Sequence, residues 1–281
     1  LAKIFSNFSK KLRGKSGGPY IYSKVVFGDF IGFLVAWGYW ISCWGNNAAI
    51  AVAIVSALSF FFPELVTNPF YATITGLSFI WFFTFTSSKG IKSSGNIQIL
   101  TTIAKLIPLV LIILFGFLIF DLEIFPEFNL TDQNDFEILP VVAVMTLYAF
   151  LGLECASIPA ENIKNPEKTI PKATMAGTLI STLIYILSTI VLFGIIPAEN
   201  LVNSPAPFAE AGEIIGGKYF GFLISAGAAI SAIGALNGWI LITSYMPMTM
   251  ANDRLFPKVF AKKNKKGFPY LSLLLGSILT S

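Results

Sequence analysis

Long apolar runs separated by short polar connections dominate this chain. They cover roughly Val25 to Leu58, Tyr71 to Thr86, Ile97 to Phe120, Leu139 to Ala156, Ala173 to Ile196 and Phe220 to Tyr245. A seventh opens at Leu271 and stops at Ser281. Crossing about 30 Å of hydrocarbon takes about 20 residues at roughly 1.5 Å of rise each. The six longer runs therefore predict spanning helices, and the seventh is too short to cross. The first is longer than needed, which permits tilt. The second is short, but Thr and Ser at its end can be carried inside. The expected fold class is an all-α integral membrane protein, with residues 1–281 forming a single membrane domain.

Charge gives these helices a direction. Of the 19 Lys and Arg residues, 17 fall in four stretches, 1 to 24, 87 to 96, 157 to 172 and 251 to 270. These alternate with nearly base-free connections at 59 to 70, 121 to 137 and 196 to 219, which hold ten of the 15 acidic residues and one base, Lys218. Bases are retained on the cytoplasmic side during insertion, so residues 1–24 and the other basic stretches read as cytoplasmic. With 55% hydrophobic residues, 27 Phe and 12% charge, a soluble chain could not bury its apolar surface, and the bilayer becomes the solvent. The net charge of +4 arises in loops that set topology and meet anionic lipid, which argues against a nucleic-acid partner.

Residue usage narrows the chemistry. Cys43 and Cys155 both lie within apolar runs, so neither a disulfide framework nor a CxxC metal site is expected. Without any His, His-ligated metals and His-based acid/base catalysis drop out. No metal or cofactor is expected, and the missing nucleophile-base pair argues against a membrane-embedded enzyme. The chain opens on Leu1 with neither an initiator Met nor a signal peptide, which reads as an internal fragment incomplete at both ends.

Ionisable residues inside hydrocarbon cost roughly 2.5 to 3.5 kcal/mol each and usually face a cavity or pathway. Three qualify: Asp29, Lys105 and Glu154. Asp29 lies near the start of its run and suits the headgroup region. For Lys105, snorkelling along its stem and a functional role both stand. Glu154 lies past mid-membrane without a neighbouring base, and both a functional and a structural carboxylate stay open. Gly152 makes its run a candidate for a discontinuous helix, with close helix packing as the other reading. Tyr39, Cys43 and Asn47 recur at i, i+4 and i+8 and share one helix face. Trp239 is mid-span, where Trp packs against neighbours or meets a ligand.

Motifs in the connections extend the reading. Gly17-Gly18-Pro19-Tyr20-Ile21-Tyr22 leads to Phe27-Gly28. Asn165-Pro166-Glu167-Lys168-Thr169-Ile170-Pro171-Lys172-Ala173 follows, then Ser204-Pro205-Ala206-Pro207-Phe208, then Asp253-Arg254-Leu255-Phe256-Pro257 with Asn264 and Pro269. In this order they resemble the amino acid-polyamine-organocation superfamily, in its basic amino acid/polyamine antiporter branch. The resemblance implies a 12-span fold of two inverted five-helix repeats, with spans one and six broken. The six complete runs would then be spans three to eight, and Tyr148 to Glu154 the break in span six.

By position, the resemblance makes Ser42, Cys43, Asn47, Tyr148, Gly152 and Trp239 candidates for substrate binding. Tyr148 stands where the arginine/agmatine exchanger has a stacking Trp, and Trp239 matches the second stacking aromatic. Tyr20, Tyr39 and Glu154 match gate residues, and Lys105 matches a proton site in some members of the wider superfamily. The implied function is secondary transport of cationic amino acids or their amines by alternating access in the inner (plasma) membrane. A small-molecule amino acid or amine, the lipid bilayer, a proton and a second copy of the chain are the implied partners. The alternatives are a proton-coupled general amino acid symporter and a non-transporting gene remnant.

Overall fold

A computed structural model describes the chain except residues 13, 14, 60, 132, 133, 205 and 266, so Pro205 of the outer-loop motif lies outside the described residues. Among the described residues every regular element is helical. The α-helices are α1 (Ala2–Lys11), α2 (Pro19–Phe27), α3 (Asp29–Ser59), α4 (Glu64–Thr67), α5 (Pro69–Ser88), α6 (Ile91–Gly116), α7 (Asp135–Ala149), α8 (Pro166–Phe193), α9 (Ala198–Asn203), α10 (Pro207–Asn252) and α11 (Tyr270–Thr280). Five of the described helices, α3, α5, α6, α8 and α10, are long and apolar enough to cross a membrane.

Helix bounds differ from the apolar runs where backbone chemistry intervenes. The run over 25–58 contains the end of α2 and most of α3, because Gly28 at φ +85 and ψ −179 adopts a conformation open to glycine. Asp29 then occupies the first turn of α3, where unpaired backbone N–H groups favour a carboxylate, and lies 3.4 Å from Lys24. The run over 220–245 belongs to the longer α10, whose backbone leaves helical geometry at Gly216 and Gly217. The run over 139–156 is helical only to Ala149.

α10 lies at the centre and packs on α3, α5, α6 and α11. Its approach to α6 depends on missing side chains. A Cβ at Gly227 would lie 2.2 Å from the Pro108 ring, and one at Gly234 would lie 2.4 Å from Thr101 Oγ1. Such small-residue contacts let helices associate in lipid, where no hydrophobic drive separates helix from solvent. Around α10 a core forms from residues including Tyr20, Trp40, Ile54, Phe83, Leu236 and Met246. A smaller cluster joins Ile112 and Val191 to Ala211 and Ile224. By contrast, no residue of α7 is buried.

The four basic stretches meet at one end. Gly17 N–H donates to the Ile158 carbonyl at 3.0 Å, and Glu161 N–H donates to Ser16 Oγ at 2.9 Å. Lys263 pairs with Glu161 at 2.9 Å, and Asn264 Nδ2 donates to the Ser88 carbonyl at 3.0 Å. Near the base-free connections, Asp121 N–H donates to the Gly194 carbonyl at 2.8 Å, and the Phe61 and Phe222 rings meet edge to face at 4.6 Å.

Candidate functional site

Between Ala149 and Pro166 the chain abandons α-helix. Phe150 and Leu151 close short turns, Gly152 takes φ +107, and single 3-10 turns follow at Cys155–Ser157 and Ala160–Asn162. Only glycine adopts the Gly152 conformation without strain, and Pro159 has no N–H to give a continuing helix. Irregular backbone at membrane depth persists where it is enclosed by protein or lines a cavity. Both surroundings are present here.

One side of this segment faces α3. Glu154 is 7% exposed, and its two carboxylate oxygens are engaged separately. Tyr39 O–H donates to Oε1 at 2.7 Å, and Gly152 N–H donates to Oε2 at 3.2 Å. Further along the same α3 face, Cys43 is fully buried, and Asn47 Nδ2 donates to Thr243 Oγ1 at 3.0 Å. Thr243 in turn donates to the Trp239 carbonyl at 2.7 Å, so this face is tied to α10 beside the Trp. Asn47 Oδ1 is buried without a protein partner. Ser42 turns outward, its hydroxyl bonded to the Tyr39 carbonyl at 2.7 Å.

The other side opens on a cavity of about 390 Å³ between α6, α8 and α10. Gly152 and Cys155 line it from the irregular segment, Trp239 from α10, and Gln98 and Lys105 from α6. A Cβ on Gly152 would sit 3.9 Å from Trp239 Cζ2, so the ring lies close against the break. Among the described residues of the lining, Lys105 is the only formally charged one. Glu154 is not part of it. Tyr148 is absent from the lining as well, and on the last turn of α7 it is 67% exposed.

Several lining residues went unnoticed in the sequence. Thr174, Thr178, Ser181 and Tyr185 all face this cavity from α8, and their spacing of four, three and four residues is a polar stripe readable within an apolar run. Gln98 and Lys105 stand seven residues apart on α6, two helical turns. Gln98 Oε1 also accepts from Asn237 Nδ2 at 3.2 Å, which fixes that amide against α10.

Tyr20 belongs to a different place, the end where the basic stretches meet. Its hydroxyl and Lys24 Nζ both donate to Asp253 Oδ2, the lysine at 2.7 Å. Burial pushes the Tyr20 phenol above its ordinary range, and the Asp253 carboxylate pushes it further. For Asp253, burial raises the carboxyl pKa, but the hydrogen bonds from Lys24 and Tyr20 overcome it and hold the group below the usual value. Burial lowers the Lys24 pKa, and Asp253 reverses this to a net rise.

Residues 2–281 match the family described as amino acid permease. The chain is 32% identical over 279 residues to a cadaverine/lysine antiporter of Escherichia coli, covering 99% of this chain and 62% of that protein. It is 32% identical over 277 residues to an arginine/agmatine antiporter of Chlamydia pneumoniae, covering 92% and 56%. To an arginine/ornithine antiporter of Pseudomonas aeruginosa it is 31% identical over 286 residues, covering 99% and 59%. The chain thus spans less than two thirds of these relatives' length. Its helices and its match from Ala2 to Ser281 agree: this is a multi-pass membrane chain of the amino acid permease family.

Proposed function

We propose that the protein bearing this chain is a secondary transporter, not an enzyme, that exchanges cationic amino acids or their amines by alternating access. The observation that carries this reading is the irregular segment at 150–165, with a buried carboxylate on one side and a cavity holding an aromatic ring on the other. Such a break exposes backbone polar groups at membrane depth, the usual place for a transported solute. Trp239 offers a ring face to an ammonium or guanidinium group, an attraction of about 0.5 to 2 kcal/mol. Relatives named for exchange of cadaverine and lysine, or arginine and ornithine, support the substrate class.

In this reading the complete helices are family spans three to eight, residues 1–281 are one membrane domain, and 1–24 face the cytoplasm of an inner membrane. The convergence of the four basic stretches at one end supports that orientation. A cysteine introduced at residue 203 should react with an impermeant thiol reagent from outside the cell, and one at 264 should not. Tyr20, Tyr39 and Glu154 serve as gates, Gly152 and Trp239 belong to the substrate wall with Cys43 and Asn47 behind them on α3, Ser42 and Tyr148 stand outside it, and the protein pairs with a second copy of itself. A second reading, proton-coupled symport, is favoured by one observation: no described residue makes a hydrogen bond or ion pair with Lys105.

Counterflow in proteoliposomes tests the proposal. Internal arginine, ornithine or lysine should accelerate uptake of labelled lysine, while internal leucine should not. Equal acceleration by leucine would overturn the cationic substrate class.

A further inference from the structure

We infer that the last turn of α1 and the first turns of α8 form a binding site for an anionic phospholipid, its phosphate on Lys10, Lys11, Lys168 and Lys172 and an acyl chain along α8. The inference goes beyond the transport reading and is independent of the substrate. α1 packs on α8. The buried residues of α1 are Ser6 and Ser9, small enough for a close approach, and those at the start of α8 are Ile170, Pro171 and Thr174. Glu161 N–H donates to Ser16 Oγ, and Gly17 N–H donates to the Ile158 carbonyl. These bonds fall shortly after the end of α1 and shortly before the start of α8, so both helix ends belong to the basic end of the molecule. Two basic stretches far apart in sequence thus meet on neighbouring helices.

The pattern along α8 distinguishes a lipid from a free anion. Lys168, Lys172, Met175 and Leu179 are spaced by four, three and four residues, which places them on one helix face, and all four are exposed. Along that face charge gives way to apolar surface at Ala173, where the spanning run begins. A phosphate held by the lysines leaves its acyl chain against Met175 and Leu179, whereas a free phosphate uses the charged half alone. Lys10 and Lys11 are exposed in the last turn of α1. Basic side chains at the membrane surface attract anionic headgroups, and basic pockets between spanning helices bind the headgroup of cardiolipin. Lys168 also sits at the positive end of the α8 dipole, a repulsion that a bound anion relieves. The acids nearby are Glu167, in the same first turn, and Glu161, which pairs with Lys263 at 2.9 Å.

The test titrates cardiolipin onto the purified full-length protein in detergent and reads bound lipid by native mass spectrometry. Each lysine should contribute about fivefold, so Lys10→Gln with Lys11→Gln, or Lys168→Gln with Lys172→Gln, should weaken binding by at least about tenfold. Lys258→Gln with Lys262→Gln, which changes exposed bases on another segment, should alter it less than about twofold. Lys168→Arg with Lys172→Arg should keep the lipid. Equal losses from all three glutamine pairs would spread the attraction over the whole basic end and overturn the inference. Unchanged binding in the first two pairs, or loss from only one of them, would overturn it too, since the site needs both helices. So would loss of the lipid in the arginine pair. Displacement of cardiolipin by inorganic phosphate would give the lysines to a free anion, and phosphatidylcholine bound as tightly as cardiolipin would leave only an apolar face; either result stands against the inference.

Discussion

Glu154 and Lys105 flank one irregular stretch of backbone, and their surroundings differ in kind. Glu154 is enclosed, with a tyrosine on one oxygen and a backbone N–H on the other. Lys105 is half-buried on a cavity wall and donates no bond to any described residue. A group whose partners are all supplied by the fold contributes to the fold. Lys105 has no such partner among the described residues. The two ionisable residues that the sequence singles out in the membrane thus differ in what the described chain supplies to each.

Stability should expose the difference most strongly. Glu154→Ala takes the acceptor from the part-buried Gly152 N–H and leaves the Tyr39 O–H only the distant Cys155 Sγ at 3.8 Å, at a cost of about 1 to 3 kcal/mol. Lys105→Met removes no described bond and should cost less than about 1 kcal/mol, since the methionine still fills the stem's space. Thermal unfolding of both variants in nanodiscs measures this. Equal losses would mean that Lys105 is as structural as Glu154.

The backbone between them comes next. Gly152→Ala would put a Cβ 3.7 Å from Cys155 Sγ, an ordinary contact, so crowding is not the issue. The cost arises from φ +107, which a side chain rarely adopts, and should be about 1 to 3 kcal/mol. An alanine variant as stable as the wild type would show that the break does not depend on glycine.

On the cavity side the two aromatic candidates should separate. Trp239→Leu should weaken binding of a cationic amino acid by about 1 to 2 kcal/mol, roughly five- to thirtyfold. Tyr148→Leu should change it less than about twofold, because Tyr148 lies outside the lining. Comparable losses from both would mean that α7 turns inward when substrate binds.

The sequence made the membrane character plain, since apolar runs and base placement are one-dimensional signals. The position of the break was legible in part through Gly152 and Pro159. Its consequence for direction was not. Past Ala149 helical arithmetic no longer says where a side chain points, so nothing in the spacing put Glu154 towards α3 while Gly152 and Cys155 reach the cavity. In regular helices the information was there: the hydroxyl stripe on α8 follows helical spacing, and only its small size among Leu and Ile concealed it. The close approach of α6 to α10 depends on which glycine meets which neighbour, a three-dimensional match that neither helix reveals alone.

The smallest effect sharpens the comparison from outside the membrane. Asp253 and Tyr20 repeat the carboxylate-tyrosine pairing of Glu154 and Tyr39 at the basic end, with Lys24 added and less burial. Because the Asp253 pKa is depressed, its contribution is present above the ordinary carboxylate value of about 4 and is lost as pH falls through the lower folded one. The raised pKa of Lys24 contributes fully below its ordinary value of about 10.4 and fades as pH rises through the higher folded one. Between roughly pH 5 and 9 the tie should therefore be flat. Asp253→Asn should cost about 1 kcal/mol in that window, the scale of a partly exposed pair. Thermal unfolding of variant and wild type should converge as the medium is acidified from about pH 4 through the lower folded pKa, where the wild-type carboxyl loses its charge as well. A gap that widened on acidification would mean that Asp253 is held protonated, and its kinship with Glu154 would rest on shape and not on charge.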